Sequence, residues 1–303
     1  MTPAFYALAT ALTLQAGAAQ SAPEELASLE LLRAGDRQCS FFEDAERALL
    51  DAAISRTRND LVLAGLDPES IQVGPNPSGL PACDDPVLQA LREGHRARTA
   101  ELAQFTELTF PGQAGRWWVD RTPPIGARAT AEWRVVQTQE GVDAAFGVFD
   151  AGEGPSLGFA FRADARPARA ELAWRNSQRQ SAPIDFTAGG LLAPPDNAPA
   201  ASWGAGARAQ SRTGANARVS EQVAANLAPA GGQSAYGFVF DDAVVQTLAD
   251  LTPREGFVVI VYDARGEVSQ RVWFEVGGLK AALAMQAIEL VIVEPEPQEQ
   301  PAP

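Results

Sequence analysis

Residues 131–175 read AEWRVVQTQEGVDAAFGVFDAGEGPSLGFAFRADARPARAELAWR. Apolar side chains recur there at every second position: Ala131, Trp133 and Val135, then Ala144, Phe146 and Val148, then Leu157, Phe159 and Phe161, then Leu172 and Trp174. Successive strand residues point to opposite faces, so the alternation predicts antiparallel strands with one buried face. Turn-forming residues separate the runs at Glu140-Gly141, Asp150 to Gly154 and Asp164 to Pro167. The period of two begins near Arg116. All six tryptophans lie between Trp117 and Trp273, which places the aromatic core in a mainly antiparallel, β-sandwich-like domain.

Upstream the period is 3.6, from Glu24 to about Leu108. Glu24 to Arg33 makes a first helical segment, with Gly35-Asp36 as its break. Ser40 and Glu43 read as a capping box that opens a second helix, its face carrying Phe42, Leu49, Leu50, Ala53, Ile54 and Leu61 and its end set by Gly65. A Pro/Gly/Asn loop follows. Asp85-Pro86 then starts a third helix as N-cap and first residue, with the stripe Leu88, Leu91, His95, Leu102 and Phe105.

Downstream, residues 182–233 are an irregular loop region rich in Ala, Gly, Pro, Ser and Asn, long for a compact domain. Order resumes with a strand over Ala235 to Phe240, a helix over Asp242 to Leu251, and strands over Phe257 to Asp263 and Val268 to Val276. Gly277-Gly278 leads into a last helix from Leu279. The expected organisation is α+β: a helical module over 23–110, a β-rich domain over 111–293 with a C-terminal helix, and a disordered Pro/Glu tail over 294–303.

Residues 1–22 have a signal-peptide layout, uncharged from Thr2 on, apolar from Ala4 to Leu14 and then small, with Ala16-Gly17-Ala18 as a cleavage site. The apolar stretch is too short to cross a bilayer, and Leu279 to Val293 is interrupted by Lys280, Gln286 and Glu289, so no transmembrane segment is expected in the mature chain. Lys280 is the one lysine among 24 basic residues, a bias expected of a GC-rich bacterial genome. Export from such a cell means the periplasm or beyond. The two cysteines, Cys39 and Cys83, are then expected to pair, since an oxidising compartment favours disulfides.

Net charge is −14, a field that repels nucleic-acid backbones. It is unevenly spread: residues 115–240 carry 12 basic and 11 acidic groups, while the flanking parts are acidic. One histidine and two cysteines are too few for His/Cys metal cages, and no cofactor or metal is expected.

Gly154-Pro155-Ser156-Leu157-Gly158 fits G-x-S-x-G, yet a strand follows Ser156 and no histidine comes after His95, so a turn between strands is expected. Gly204 to Ala209 fits G-x-G-x-x-A without a strand before it, and reads as a flexible loop. His95, alone on a helical stripe, reads as a packing or capping residue rather than a general base. Asp84-Asp85 and Asp241-Asp242 read as helix caps. The candidate binding residues are Trp203, Arg208, Arg212 and Arg218, which group an indole and three guanidinium forks able to engage an acidic glycan, a lipid headgroup or a carboxylate on an envelope protein.

Phe240 to Met285, FDDAVVQTLADLTPREGFVVIVYDARGEVSQRVWFEVGGLKAALAM, resembles the closing part of the invasion-associated locus B family of exported bacterial proteins. Leu248, Val259, Val261, Phe274, Gly278, Ala281 and Ala282 carry the likeness. Members of that family have cysteines in the β domain, where this chain has none. The resemblance implies an envelope β-sandwich and assigns no catalytic residue. The functional expectation is a non-catalytic envelope or secreted protein working through protein or glycan contacts. The alternatives are a two-carboxylate enzyme on envelope polysaccharide and a carrier of a small apolar ligand.

Overall fold

The computed structural model describes residues 21–71, 79–102, 104, 107–113, 115–122, 130–139, 142–150, 155–176, 204–208, 211–213 and 234–288. The expected signal peptide, apart from its last two residues, and the expected tail lie outside these. The fold is α+β. The helices are α1 (Ala22–Cys39), α2 (Asp44–Leu63), α3 (Pro86–Leu102), α4 (Ala243–Ala249) and α5 (Val276–Gln286). The strands are β1 (Glu107–Pro111), β2 (Arg116–Thr122), β3 (Thr130–Gln139), β4 (Val142–Asp150), β5 (Pro155–Ala163), β6 (Arg169–Arg175), β7 (Gly204–Arg208), β8 (Ser211–Thr213), β9 (Ser234–Phe240), β10 (Gly256–Tyr262) and β11 (Val268–Glu275). No helix among the described residues is long and apolar enough to cross a membrane.

Among the described residues the strands form two antiparallel sheets. One has seven strands in the order β1-β2-β3-β4-β5-β9-β8, the other four in the order β11-β10-β6-β7. The alternating apolar set of β4 and β5 meets that of β10 and β11 between them: the ring of Phe146 lies 4.9 Å from Phe257 and 5.1 Å from Phe274, and Phe159 lies 6.1 Å from Phe274. Ring pairs at such separations add to their burial. The sheets therefore pack face to face over an aromatic core, as the period of two requires. β1 begins at Glu107, so strand structure starts before the expected switch near Arg116.

The first helix does not stop at Gly35-Asp36. Gly35 faces Leu88 of α3 closely: a Cβ there would meet Leu88 Cδ2 at 3.1 Å, so the leucine would have to give way. Asp36 is buried and accepts hydrogen bonds from Phe42 N at 2.9 Å and Arg47 Nε at 2.8 Å. Tertiary partners thus override the local breaker signal. α1 runs on to Cys39, Ser40 follows in the left-handed region at φ 52°, and the start of α2 shifts accordingly. The capping box is Glu43 and Glu46, with Glu43 N donating to Glu46 Oε2 at 3.0 Å, rather than Ser40 and Glu43.

Cys39 and Cys83 are bonded, with Cα atoms 5.7 Å apart. Asp85 caps α3 by accepting from Val87 N at 2.8 Å. α2 runs back along α1 through Arg47–Asp36, Arg33–Asp51 and Arg58–Glu30. α3 also opposes α1, with Leu88 on Gly35 and Arg98 at 3.9 Å from Glu25, so α2 and α3 point the same way.

α5 joins the two parts. It packs between α2 and the β2–β3 region, and Leu49 and Ala52 of α2 enter the sandwich core. It starts at Val276 rather than Leu279, with both glycines inside its first turn. Glu275, 4% exposed, precedes it; Oε1 accepts from Trp117 Nε1 at 2.6 Å and Oε2 from Gln113 N at 2.5 Å. A Cβ at Gly278 would come 2.0 Å from Trp117 Nε1, so the helix can enter here only through glycine.

Two outcomes follow. Replacing Cys39 and Cys83 by serine lowers unfolding free energy by ~2–4 kcal/mol in urea titration, since the open loop regains chain entropy; unchanged stability would contradict this. Burial, opposed by its two N–H donors, raises the Glu275 carboxyl above its usual range. That contribution is fully present below the unfolded value of ~4.3 and is lost as pH rises through the raised folded value. Glu275→Gln nonetheless costs ~1–3 kcal/mol at neutral pH, because its amide NH2 must face one of the two donors; equal stability would show that both donors are not needed.

Candidate contact surface on the four-stranded sheet

The register of the four-stranded sheet sets out a second face away from the sandwich core. Ala173 of β6 stands opposite Val258 of β10, and Val258 opposite Trp273 of β11; Ile260 stands opposite both Glu171 and Arg271. Tyr262 is opposite Arg169, and across the other edge of β6 Glu171 is opposite Arg208 of β7. Residues of one parity share a face, so the row mixes charged, aromatic and small apolar residues. Ala173, Val258 and Ile260 form a small buried cluster of their own, with Tyr262 and Trp273 packed against it.

At one end of this face the polar groups interlock. The Arg169 guanidinium lies over the Tyr262 ring, 3.4 Å from its centroid. The Tyr262 hydroxyl donates to Glu171 Oε2 at 2.9 Å, and Arg169 NH1 reaches the same oxygen at 3.4 Å. Burial, then the hydrogen bond and charge of Glu171, push the Tyr262 phenol up from its usual value. It therefore stays a neutral hydrogen-bond donor across physiological pH. Arg169 keeps a side-chain exposure of 42%, so the cation remains open to a ligand while its ring support holds it in place.

Of the four residues expected to bind, Trp203 and Arg218 lie outside the described residues. Arg208 and Arg212 are placed on different sheets: Arg208 ends β7, opposite Glu171, and Arg212 is on β8 at the edge of the seven-stranded sheet, opposite Phe238. Gly204 to Arg208 is a strand, not the expected flexible loop. Its small residues pair through the backbone ladder with Glu171 to Arg175, a source of order that side-chain pattern does not report. The irregular region 182–233 therefore contains β7 and β8, and its remainder lies outside the described residues. Sequence reasoning missed Arg169, Glu171 and Tyr262. The alternation Arg169, Glu171 against Ala170, Leu172 signals an outward charged pair, but the cross-strand tyrosine is not readable from it.

The other motifs resolve into structure. Ser156 is the second residue of β5, opposite Phe149, so no strand–serine–helix elbow exists. Asp241 accepts from Ala243 N at 2.9 Å as a cap for α4, while Asp242 instead accepts from Leu157 N at 2.9 Å and ties α4 to β5. The buried carboxylates Glu255 and Glu275 both have occupied oxygens. Glu255 is held by Arg175 and accepts from Thr252 N at 2.8 Å, which raises the Arg175 guanidinium through their hydrogen bond. Among the described residues no group of three His, Cys, Asp or Glu side chains is placed to hold a metal.

His95 is 8% exposed, stacked edge-on to Phe42 at 4.9 Å, and its Nε2 stands 2.9 Å from the Glu46 carbonyl oxygen. A carbonyl only accepts, so Nε2 carries the proton and donates. The ring clamps α3 to the start of α2.

Comparison of the chain with protein-family models, with characterised proteins and with solved structures finds no match.

Burial lowers the His95 imidazole below its usual value, ahead of opposing effects from the Glu46 carbonyl and carboxylate. Its contribution to stability is thus present above the unfolded value of ~6.5 and is lost as pH falls through the lowered folded value. Relative to His95→Gln, the native chain should lose stability as pH falls below about 6.5 in parallel urea titrations. Parallel curves would show that His95 does not titrate on unfolding.

Proposed function

We propose that this is an exported, non-catalytic bacterial protein of the periplasm or extracellular space that holds an acidic glycan at the Arg169–Tyr262 end of its four-stranded sheet. The observation that carries the reading is the Arg169–Tyr262–Glu171 group, set in a row with Arg271 and the backbone position of Arg208. A supported cation can fork onto a uronate or similar carboxylate, and an aromatic edge beside it suits a sugar ring. Arg169, Glu171 and Arg208 of the row belong to residues 115–240, the near-neutral part of an otherwise acidic chain, where an anionic ligand meets less repulsion. Export is supported by the leader-like residues 1–22, by the disulfide and by the resemblance of residues 240–285 to an exported family. Two-carboxylate hydrolysis is the weaker alternative, because the buried acids Glu255 and Glu275 are already engaged by protein donors. The apolar-carrier alternative is weaker for a similar reason: the rings of Phe146, Phe159, Phe257 and Phe274 fill one another's surroundings.

Calorimetric titration with uronate-containing oligosaccharides tests the reading. The double variant Arg169→Ala, Tyr262→Ala should weaken binding at least tenfold, ~1.4 kcal/mol, with unchanged far-ultraviolet dichroism, while Arg98→Ala on the helical module leaves it intact. Equal affinity in the double variant, or release of sugar by the native protein, would overturn it.

A further inference from the structure

The outer face of the four-stranded sheet carries a second cation beyond the Arg169–Tyr262–Glu171 group. Val272 and Phe274 of β11 enter the sandwich core, so Arg271 and Trp273 belong to the opposite, outer face. Arg271 is half-buried, and none of the ion pairs or side-chain hydrogen bonds of the described residues includes it. The acids of β6 and of the β10–β11 hairpin are engaged elsewhere. Glu171 accepts from the Tyr262 hydroxyl, Asp263 and Glu267 are held by Arg265, Glu275 accepts from Trp117 and Gln113, and Glu255, just before β10, is held by Arg175. The fork of Arg271 therefore has no carboxylate of its own to meet, although it stands on the face that offers Arg169.

The register fixes how far apart the two cations are. Arg169 of β6 is opposite Tyr262 of β10, and Arg271 of β11 is opposite Ile260, so they are two strand spacings and two residues apart, roughly 12 Å between Cα atoms. Between them lie Tyr262 and Ile260, the latter 3% exposed and packed with Tyr262 and Trp273. On this side the β10–β11 ladder breaks at a bulge: Gln270 pairs with Val261 and Val268 with Tyr262, which leaves exposed Ser269 as the extra residue, its Oγ donating to the Val261 carbonyl oxygen at 3.2 Å. A bulge re-aims the side chains around it, here those that lead from Tyr262 to Arg271. Arg169 is not free to swing across to Arg271, because the Tyr262 ring and Glu171 Oε2 both hold its guanidinium. The two forks are thus separate points of attachment.

Resting on the reading of this surface as an acidic-glycan site, we propose that Arg271 is its second carboxylate anchor and that the ligand is a polyuronate held at two carboxylates with one sugar between them. Each guanidinium forks onto one carboxylate. A single uronate reaches one fork only, and neighbouring uronates of a chain fall short of the second. Uronates separated by one sugar match the distance between the forks, and the chain between them runs over Tyr262. Once the first carboxylate is bound, the second contact is intramolecular, so it strengthens binding only for a chain long enough to span both.

The test titrates the whole folded chain calorimetrically with galacturonic acid and with its linear dimer, trimer and tetramer. Affinity should rise about tenfold from dimer to trimer, where the second fork comes within reach, and little from trimer to tetramer. Arg271→Gln, which keeps most of the aliphatic stem, should erase the step, so that its trimer binds no more tightly than its dimer. Arg271→Lys keeps the charge without the fork and should retain part of the step. The native length series decides the matter without any variant: equal affinity for dimer and trimer would overturn the second anchor, and so would a step of full size in Arg271→Gln. In either case, dimer binding that is lost in the Arg169→Ala, Tyr262→Ala double variant leaves the acidic-glycan reading standing. Absence of binding at every length overturns both.

Discussion

The carboxylate of Glu275 ties together parts of the fold that lie far apart in the chain. It is buried where β11 turns into α5, and its two oxygens accept from Trp117 and Gln113, which lie 158 and 162 residues earlier. An acid without such partners would cost several kcal/mol to bury. The β1–β2 hairpin and the β11–α5 junction are therefore compatible only with each other. Gly112 shares the restriction, because a Cβ there would stand 2.1 Å from Glu275 Oε1. Once α5 is fixed against β2 and β3, its outer side becomes the seat for α2. The helical module is thus not a free appendage: Leu49 and Ala52 complete a core that the strands alone leave open.

What the sequence disclosed follows from the range of the interactions involved. The strands of the sandwich were legible because burial on one face imposes a period of two within each strand, as Phe146, Phe159 and Phe274 show. The disulfide was legible because two cysteines have one possible pairing, in a chain whose leader-like start made an oxidising compartment the expectation. The failures share the opposite property. Gly35 looked like a helix breaker because the close contact it makes is with Leu88, on another helix. Ser40 looked like an N-cap because the left-handed turn that ends α1 depends on buried Asp36. The contact face was hardly legible at all. Arg169 and Tyr262 become neighbours through register between β6 and β10, and register is decided by packing across the whole sheet.

The doubly covered strand β10 explains why chemistry gathers near its ends. Phe257, Val259 and Val261 enter the sandwich core while Val258 and Ile260 are buried on the other side, so the strand interior is apolar throughout. Polar groups are displaced to the two ends. At one, Glu255 links Arg175 of β6 to the turn before β10, and its backbone oxygen accepts from Val276 N at 2.8 Å, tying in α5. At the other, Tyr262 brings Arg169 and Glu171 together. The first end is closed by satisfied partners and serves stability. The second keeps an exposed guanidinium, which is why the functional reading rests there.

The same reasoning bears on why a lysine stands at the seam of α2 and α5 in a chain whose other basic residues are arginine. A guanidinium does not lose its proton under ordinary conditions, so half-burying a second one beside Arg58 would require another acid. Glu30 and Glu69 are already committed to Arg58, Asp250 has its own donor, and Glu255 belongs to Arg175. An ammonium escapes the difficulty because it can become a neutral amine when desolvated. The local shortage of free carboxylate therefore favours lysine at position 280 on electrostatic grounds alone.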